Sequence, residues 1–104
     1  MSENTTVLTP AEIAAADLAD FTPPTPVLAA RYRTKDFASA LALVDQIGAA
    51  AEEANHHPDL TLAYGSVGVT LTSHDVGGIT QRDLAMARRI SELAAAAGAV
   101  AEND

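Results

Sequence analysis

Apolar side chains recur at helical spacing from Phe37 through Leu41, Val44, Ile47 or Gly48, and Ala51 to Ala54, which predicts a long helix from just after Thr34 to Asn55. Pro58 enforces its end, because the residue before a proline is biased away from helical geometry. The pattern then changes. LTLAY, the dipeptide Gly65-Ser66 and VGVTLTSH predict two strands joined by a tight turn. On the second strand a period of two sets Val67, Val69 and Leu71 on one face and Gly68, Thr70, Thr72 and His74 on the other. Gly77-Gly78 break that strand. Thr80 and Asp83 have the spacing of a capping box, opening a last helix that runs to about Ala97 and buries Leu84, Met86, Ala87, Ile90 and Leu93.

Upstream, Thr9-Pro10 reads as a helix start, a hydroxyl cap followed by a proline where no N–H is missed, with Ile13 and Leu18 facing inward. The prolines of FTPPTP, residues 21–26, forbid a helix and predict an extended connection. Val27 to Arg33 then predicts a short strand, while residues 1–8 and 98–104 are expected to fray. The sum is an α+β domain over residues 1–104, a mainly antiparallel sheet of about four strands with about three helices packed on one face. Its other face or an edge stays open to a partner subunit.

Composition narrows the function classes. Six Lys and Arg against fourteen Asp and Glu give a net charge of -8, which argues against direct contact with nucleic acid. The absence of cysteine excludes disulfides, thiolate metal sites and cysteine nucleophiles. No basic segment precedes an apolar run at the N-terminus, and no stretch is long and apolar enough to span a bilayer, so a soluble cytoplasmic protein without membrane contact is expected.

Two of the three histidines stand side by side in EEANHHPDL, residues 52–60, and three explanations compete for them. A histidine near a helix C-terminus complements the helix dipole without any chemistry. Glu52, His56, His57 and His74 could nominally ligate zinc, but adjacent histidines rarely converge on one ion, and the spacing fits neither a zincin helix nor a finger. The third explanation is acid-base work, for which imidazole titrates near neutrality. On a continuing helix Glu52 and His56, four apart, would share a face, so that the carboxylate could orient the ring. Ser73 precedes His74, yet neighbours on a strand point apart and no G-x-S-x-G elbow exists, so it is no nucleophile.

The run AEEANHHPDLTLAYGSVGVTLTSHDVGGITQRDLAMA resembles the pterin-4a-carbinolamine dehydratase family, also called 4a-hydroxytetrahydrobiopterin dehydratases. The matching elements are Glu52 ahead of His56-His57-Pro58, the hairpin with Thr70, His74, Gly78 and Arg82-Asp83. Lys35-Asp36-Phe37 looks like the family's helix opening, and the similarity spans roughly residues 31 to 97. What the resemblance implies is a small α+β domain assembling into homodimers or homotetramers. The implied reaction removes water from a 4a-hydroxytetrahydropterin to give quinonoid dihydropterin for recycling, with no metal or organic cofactor. By similarity His56, His57 and His74 form the catalytic set, with acid and base unassigned among them. Glu52 would orient His56 or bind the pterin edge, and Asp83 would bind substrate or only cap its helix.

This chain also departs from the family. Leu60 stands where an aromatic usually follows the histidines, Thr34 replaces an aromatic before Lys35, and the customary N-terminal tryptophan is missing. A lost stacking contact would cost a flat substrate about 1 kcal/mol. The rival expectation is a non-catalytic interaction or assembly factor on the same fold, in which surface residues such as Arg88, Arg89 and Glu92 would matter more than the histidines.

Overall fold

Thr9, Asp36 and Thr80 each open a helix in the computed structural model, which describes residues 6–18, 20, 21 and 27–102. Helix α1 (Pro10–Ala15) starts with a reciprocal cap: the Glu12 amide donates to Thr9 Oγ1 at 3.1 Å and the Thr9 amide to Glu12 Oε1 at 2.8 Å. Ile13 enters the core and Leu18 packs partly buried against it. Helix α2 (Phe37–Ala54) begins where Asp36 accepts the Ser39 amide at 2.8 Å. Helix α3 (Gln81–Ala96) carries the expected box of Thr80 and Asp83. The extended connection expected at 21–26 falls, Phe21 apart, outside the described residues.

Strands β1 (Leu28–Arg33), β2 (Asp59–Ala63), β3 (Ser66–Leu71) and β4 (Val100–Ala101) form one antiparallel sheet in the order β2-β3-β1-β4. The chain is thus an α+β fold of three helices and a four-stranded sheet. Register aligns Leu28 with Leu71, Ala30 with Val69 and Tyr32 with Val67, which collects the large side chains on one face. Leu43 and Ile47 of α2 and Leu84, Ala87 and Ile90 of α3 join them in the core. Tyr32 is buried there with its hydroxyl donating to Asp20 at 2.9 Å, and burial pushes the phenol pKa well up.

Four details differ from the pattern-based reading. Helix α2 buries Ala40, Leu43, Ile47, Ala50 and Ala51, leaving Phe37 and Leu41 44% and 43% exposed. The helix is apolar on two adjacent stripes, and the one carrying Ala40, Leu43, Ile47, Ala50 and Ala51 is the one buried. The hairpin loop is Tyr64-Gly65 rather than Gly65-Ser66, because Gly65 takes the positive φ of 76° while Ser66 pairs with Ala63. Strand β3 ends at Leu71, short of His74. The tail does not fray at 100–101: Gly98, at φ 78°, turns the chain out of α3, and β4 satisfies the outer edge of β1, with Arg33 reaching Glu102 at 2.9 Å.

The N-terminal arm lies across Gly78. Leu8 donates its amide to the Ile79 carbonyl at 2.8 Å, and a Cβ at Gly78 would stand 2.7 Å from a Val7 methyl carbon. Gly78→Ala is therefore expected to lift the arm at a cost of about 1 kcal/mol, with Val7→Ala added to it restoring most of the loss. Faster hydrogen exchange of the Leu8 amide is the readout, and unchanged protection would refute the contact.

Candidate active site

Both histidine-bearing segments meet at one end of the β2–β3 hairpin. After Ala54 the backbone turns through Asn55 in left-handed geometry, φ 53°, with the His56 amide donating to the Ala51 carbonyl at 3.2 Å and the Asn55 amide to that of Glu52 at 3.3 Å. His56, His57 and Pro58 then lead into β2. The pairing of Asp59 with Thr70 and Leu60 with Val69, continued backwards, sets this segment beside the chain leaving β3 at Leu71 through Ser73. That departing chain makes a tight loop: Ser73 donates its amide to the Gly78 carbonyl at 2.9 Å, and Gly77 returns with φ 71°. His74 sits exposed in the loop rather than on a strand face.

Asp83 joins the two segments. Its Oδ1 lies 2.6 Å from His56 Nε2, and its Oδ2 accepts from Ser73 Oγ at 2.8 Å and from the Thr80 amide at 2.9 Å. Ser73 Oγ also meets Thr80 Oγ1 at 2.9 Å. Ser73, Thr80 and Asp83 are all at most 1% exposed, and no buried side-chain polar atom among the described residues lacks a partner. Asp83, expected either to cap or to bind substrate, thus caps α3 and holds the His56 ring, with no surface of its own exposed. The Ser73 hydroxyl is likewise committed to this network. Its part as a bridge was not legible from alternation alone, because the strand had already ended.

Glu52 takes a different partner from the one spacing suggested. Its Oε2 lies 2.6 Å from His57 Nε2, in a pair whose side chains are 78% and 53% exposed, while His56 goes to Asp83. The four-residue rule assumes a continuing helix, and the left-handed Asn55 breaks it before either histidine. The structure consequently points the two rings to different sides. His56 lines a cavity of about 390 Å³ between α2 and α3, whereas His57, Pro58, Glu52 and Leu60 line a groove of about 470 Å³ along α2 and β2. Leu60, at the family's aromatic position, packs partly buried against the core as well.

The loop carrying His74 is fastened to α3 by Arg82, whose guanidinium donates to Asp75 Oδ1 at 2.7 Å. The Arg82 hydrogen bond, with a smaller contribution from the Arg82 charge, holds the Asp75 carboxyl below its ordinary 3.8. A depressed folded-state pKa means that the tie is present above the unfolded value and is lost as pH falls through the folded one. Acidification below about pH 4 is therefore expected to release the loop, seen as faster amide exchange at 74–77, and Asp75→Asn should remove that pH dependence. Among the described residues no three His, Cys, Asp or Glu side chains gather as a metal site, and no helix is long and apolar enough to cross a membrane.

An antiparallel α+β domain with a buried carboxylate pinning a histidine at the sheet's end is the class defined so far. Residues 7–93 match the family profile described as pterin 4 alpha carbinolamine dehydratase, and the chain belongs to that family. A Thermomicrobium roseum protein provisionally named pterin-4-alpha-carbinolamine dehydratase is 51% identical over 63 residues, 61% of this chain and 68% of that one. One from Nocardia farcinica with the same provisional name is 41% identical, covering 86% of this chain and 97% of its own. Among solved structures, a Brucella melitensis protein described as a transcriptional coactivator/pterin dehydratase superposes with a TM-score of 0.81 at 31% identity, over 86% of this chain and 99% of that one. A pterin dehydratase-like protein described as a RuBisCO assembly factor in the alpha-carboxysome reaches 0.59 at 27% identity, over 71% and 86%.

Proposed function

We propose that the protein is a 4a-hydroxytetrahydropterin dehydratase acting in tetrahydrobiopterin recycling, with His56, His57 and His74 as the acid-base set. The reading rests on one observation above all: the buried Asp83 carboxylate grips His56 with one oxygen and, with the other, Ser73, the residue before His74. Two sequence-distant loci are thereby fixed at one end of the sheet. In the elimination an imidazolium protonates the 4a-hydroxyl, and a neutral imidazole takes the proton from the adjacent ring nitrogen. The nitrogen lone pair forms the new C=N bond as the C–O bond breaks, and water leaves. Because the step is redox-neutral and both proton transfers fall to imidazoles, the reading calls on no metal or organic cofactor. Glu52 orients His57 and is open to the pterin edge; Asp83 is a positioning residue acting through His56.

The test is direct. With 4a-hydroxytetrahydropterin generated in the cuvette, the protein is expected to accelerate appearance of the quinonoid product well beyond spontaneous dehydration. A rate indistinguishable from the uncatalysed one would reject the reading.

A second reading, an interaction or assembly role on the same fold, draws on the exposed apolar pair Phe37 and Leu41 along α2. The same stripe suits a homodimer or homotetramer, since covering two large side chains removes apolar surface from water. Leu41→Glu is expected to shift the species in sedimentation velocity toward the monomer with the fold intact. An unchanged sedimentation coefficient would mean that this stripe lies outside any self-association surface.

A further inference from the structure

The 390 Å³ cavity beside His56 has a composition unlike the rest of this acidic chain. Its floor is apolar, made by Ala50, Ala54, Ala85 and Met86, and Gln81, Arg82 and Arg89 stand around it. Only six Lys and Arg occur in the whole sequence, and two of them border this one space. Arg82 already holds Asp75, and Arg33 is taken up by Glu102. Arg89 has no ion-pair partner among the described residues, although it lines the cavity on the same helix, seven residues on from Arg82. Glu53 is the one carboxylate on the wall. The unspent Arg89 guanidinium suits an oxyanion, and the apolar floor suits the carbon chain that carries it from a pterin held at the histidines.

We propose that this cavity recognises an anionic group on the substrate, so that the pterin taken by this protein carries a phosphate or carboxylate on its side chain, paired by Arg89 and supported by Arg82 and Gln81. The inference rests on the dehydratase reading of His56 and names a substrate class for it. The guanidinium fork matches both anions, and a phosphate offers it a further oxygen. The net charge of -8 opposes any anion at long range, so the preference comes from local pairing and not from steering. Arg88, next on the helix and exposed, does not line the cavity and provides a control of equal charge.

Equilibrium binding of neopterin, neopterin phosphate and a carboxypterin to the full chain, read by quenching of pterin fluorescence at low salt, tests the proposal. An anionic pterin is expected to bind about tenfold tighter than the neutral one, the value of one charge-assisted hydrogen bond. Arg89→Gln should reduce that ratio to near unity, while Arg88→Gln should preserve it. A benefit confined to the phosphate or to the carboxylate supports the proposal and identifies the group. Equal affinity for neutral and anionic pterins overturns it and leaves the dehydratase reading intact. A ratio that survives Arg89→Gln, or collapses equally in Arg88→Gln, also overturns it, since general charge would then be the cause. If no pterin binds, this proposal falls, and the rate assay with 4a-hydroxytetrahydropterin decides the dehydratase reading separately.

Discussion

Replacing Asp83 by alanine is expected to lower folding stability by about 3 kcal/mol or more, because three polar groups lose their acceptor where water cannot replace it. The carboxylate is 0% exposed and takes His56, Ser73 and the Thr80 amide. The helix start, the end of β3 and the segment after α2 are all secured through this one side chain. Net stabilities of about 5–15 kcal/mol make such a loss a large fraction of the total. Asp83→Asn separates size from charge. Its carbonyl oxygen can still serve Ser73 and the Thr80 amide, and its amide can face His56 if the ring presents an unprotonated Nε2. The asparagine variant is therefore expected to cost about 1 kcal/mol yet to move the His56 proton to Nδ1. Urea unfolding checks the first number, and imidazole nitrogen chemical shifts check the tautomer. An alanine variant within about 1 kcal/mol of the parent would mean that the network contributes little.

Local rules carried much of the fold. Thr80 announced its helix because a hydroxyl followed three residues later by a carboxylate satisfies N–H donors that the helix itself leaves orphaned, and Thr9 announced its own through a capping hydroxyl followed by Pro10, where no N–H is missed. Alternation placed Val67, Val69 and Leu71 inward, since nothing else on that strand is large and apolar. Periodicity could not choose the buried face of α2, where Phe37 and Leu41 lie beside Ala40 and Leu43 on adjoining stripes of similar polarity. The decision there belongs to tertiary packing. Strand β4 escaped for a related reason: two residues have no periodicity, and only the vacant edge of β1 explains them.

The candidate residues could be named from the sequence, whereas their partnerships could not. His56, His57, His74, Glu52 and Asp83 were all singled out, but Glu52 was matched to the wrong ring because one left-handed residue, Asn55, ends the helix before the four-residue rule applies. That His56 lies against Asp83, twenty-seven residues away, depends on how α2 and α3 pack. No spacing rule reaches that far. Arg82 likewise entered only as part of the family match, and its tie to Asp75 exists because the loop folds back onto α3.

Exposure separates the three histidines experimentally. His56 is held by a buried carboxylate, so its removal disturbs stability and chemistry together, whereas His57 and His74 are exposed. His57→Ala breaks a pair with Glu52 whose side chains are largely in water, 53% and 78% exposed, and surface pairs of this kind contribute at most about 1 kcal/mol. His74→Ala changes a loop side chain and is expected to alter stability by no more than about 0.5 kcal/mol. On dehydration of a 4a-hydroxytetrahydropterin each is nonetheless expected to lower kcat/KM by about 10² to 10⁴, the usual contribution of a positioned acid or base. The double variant should fall well short of the product of the two losses, because an acid and a base serving one elimination act as a unit. Matched unfolding curves beside these rates would assign the loss to proton transfer. If one variant keeps parental turnover, its ring is outside the acid-base set; if both do, His56 and solvent must supply the two transfers alone.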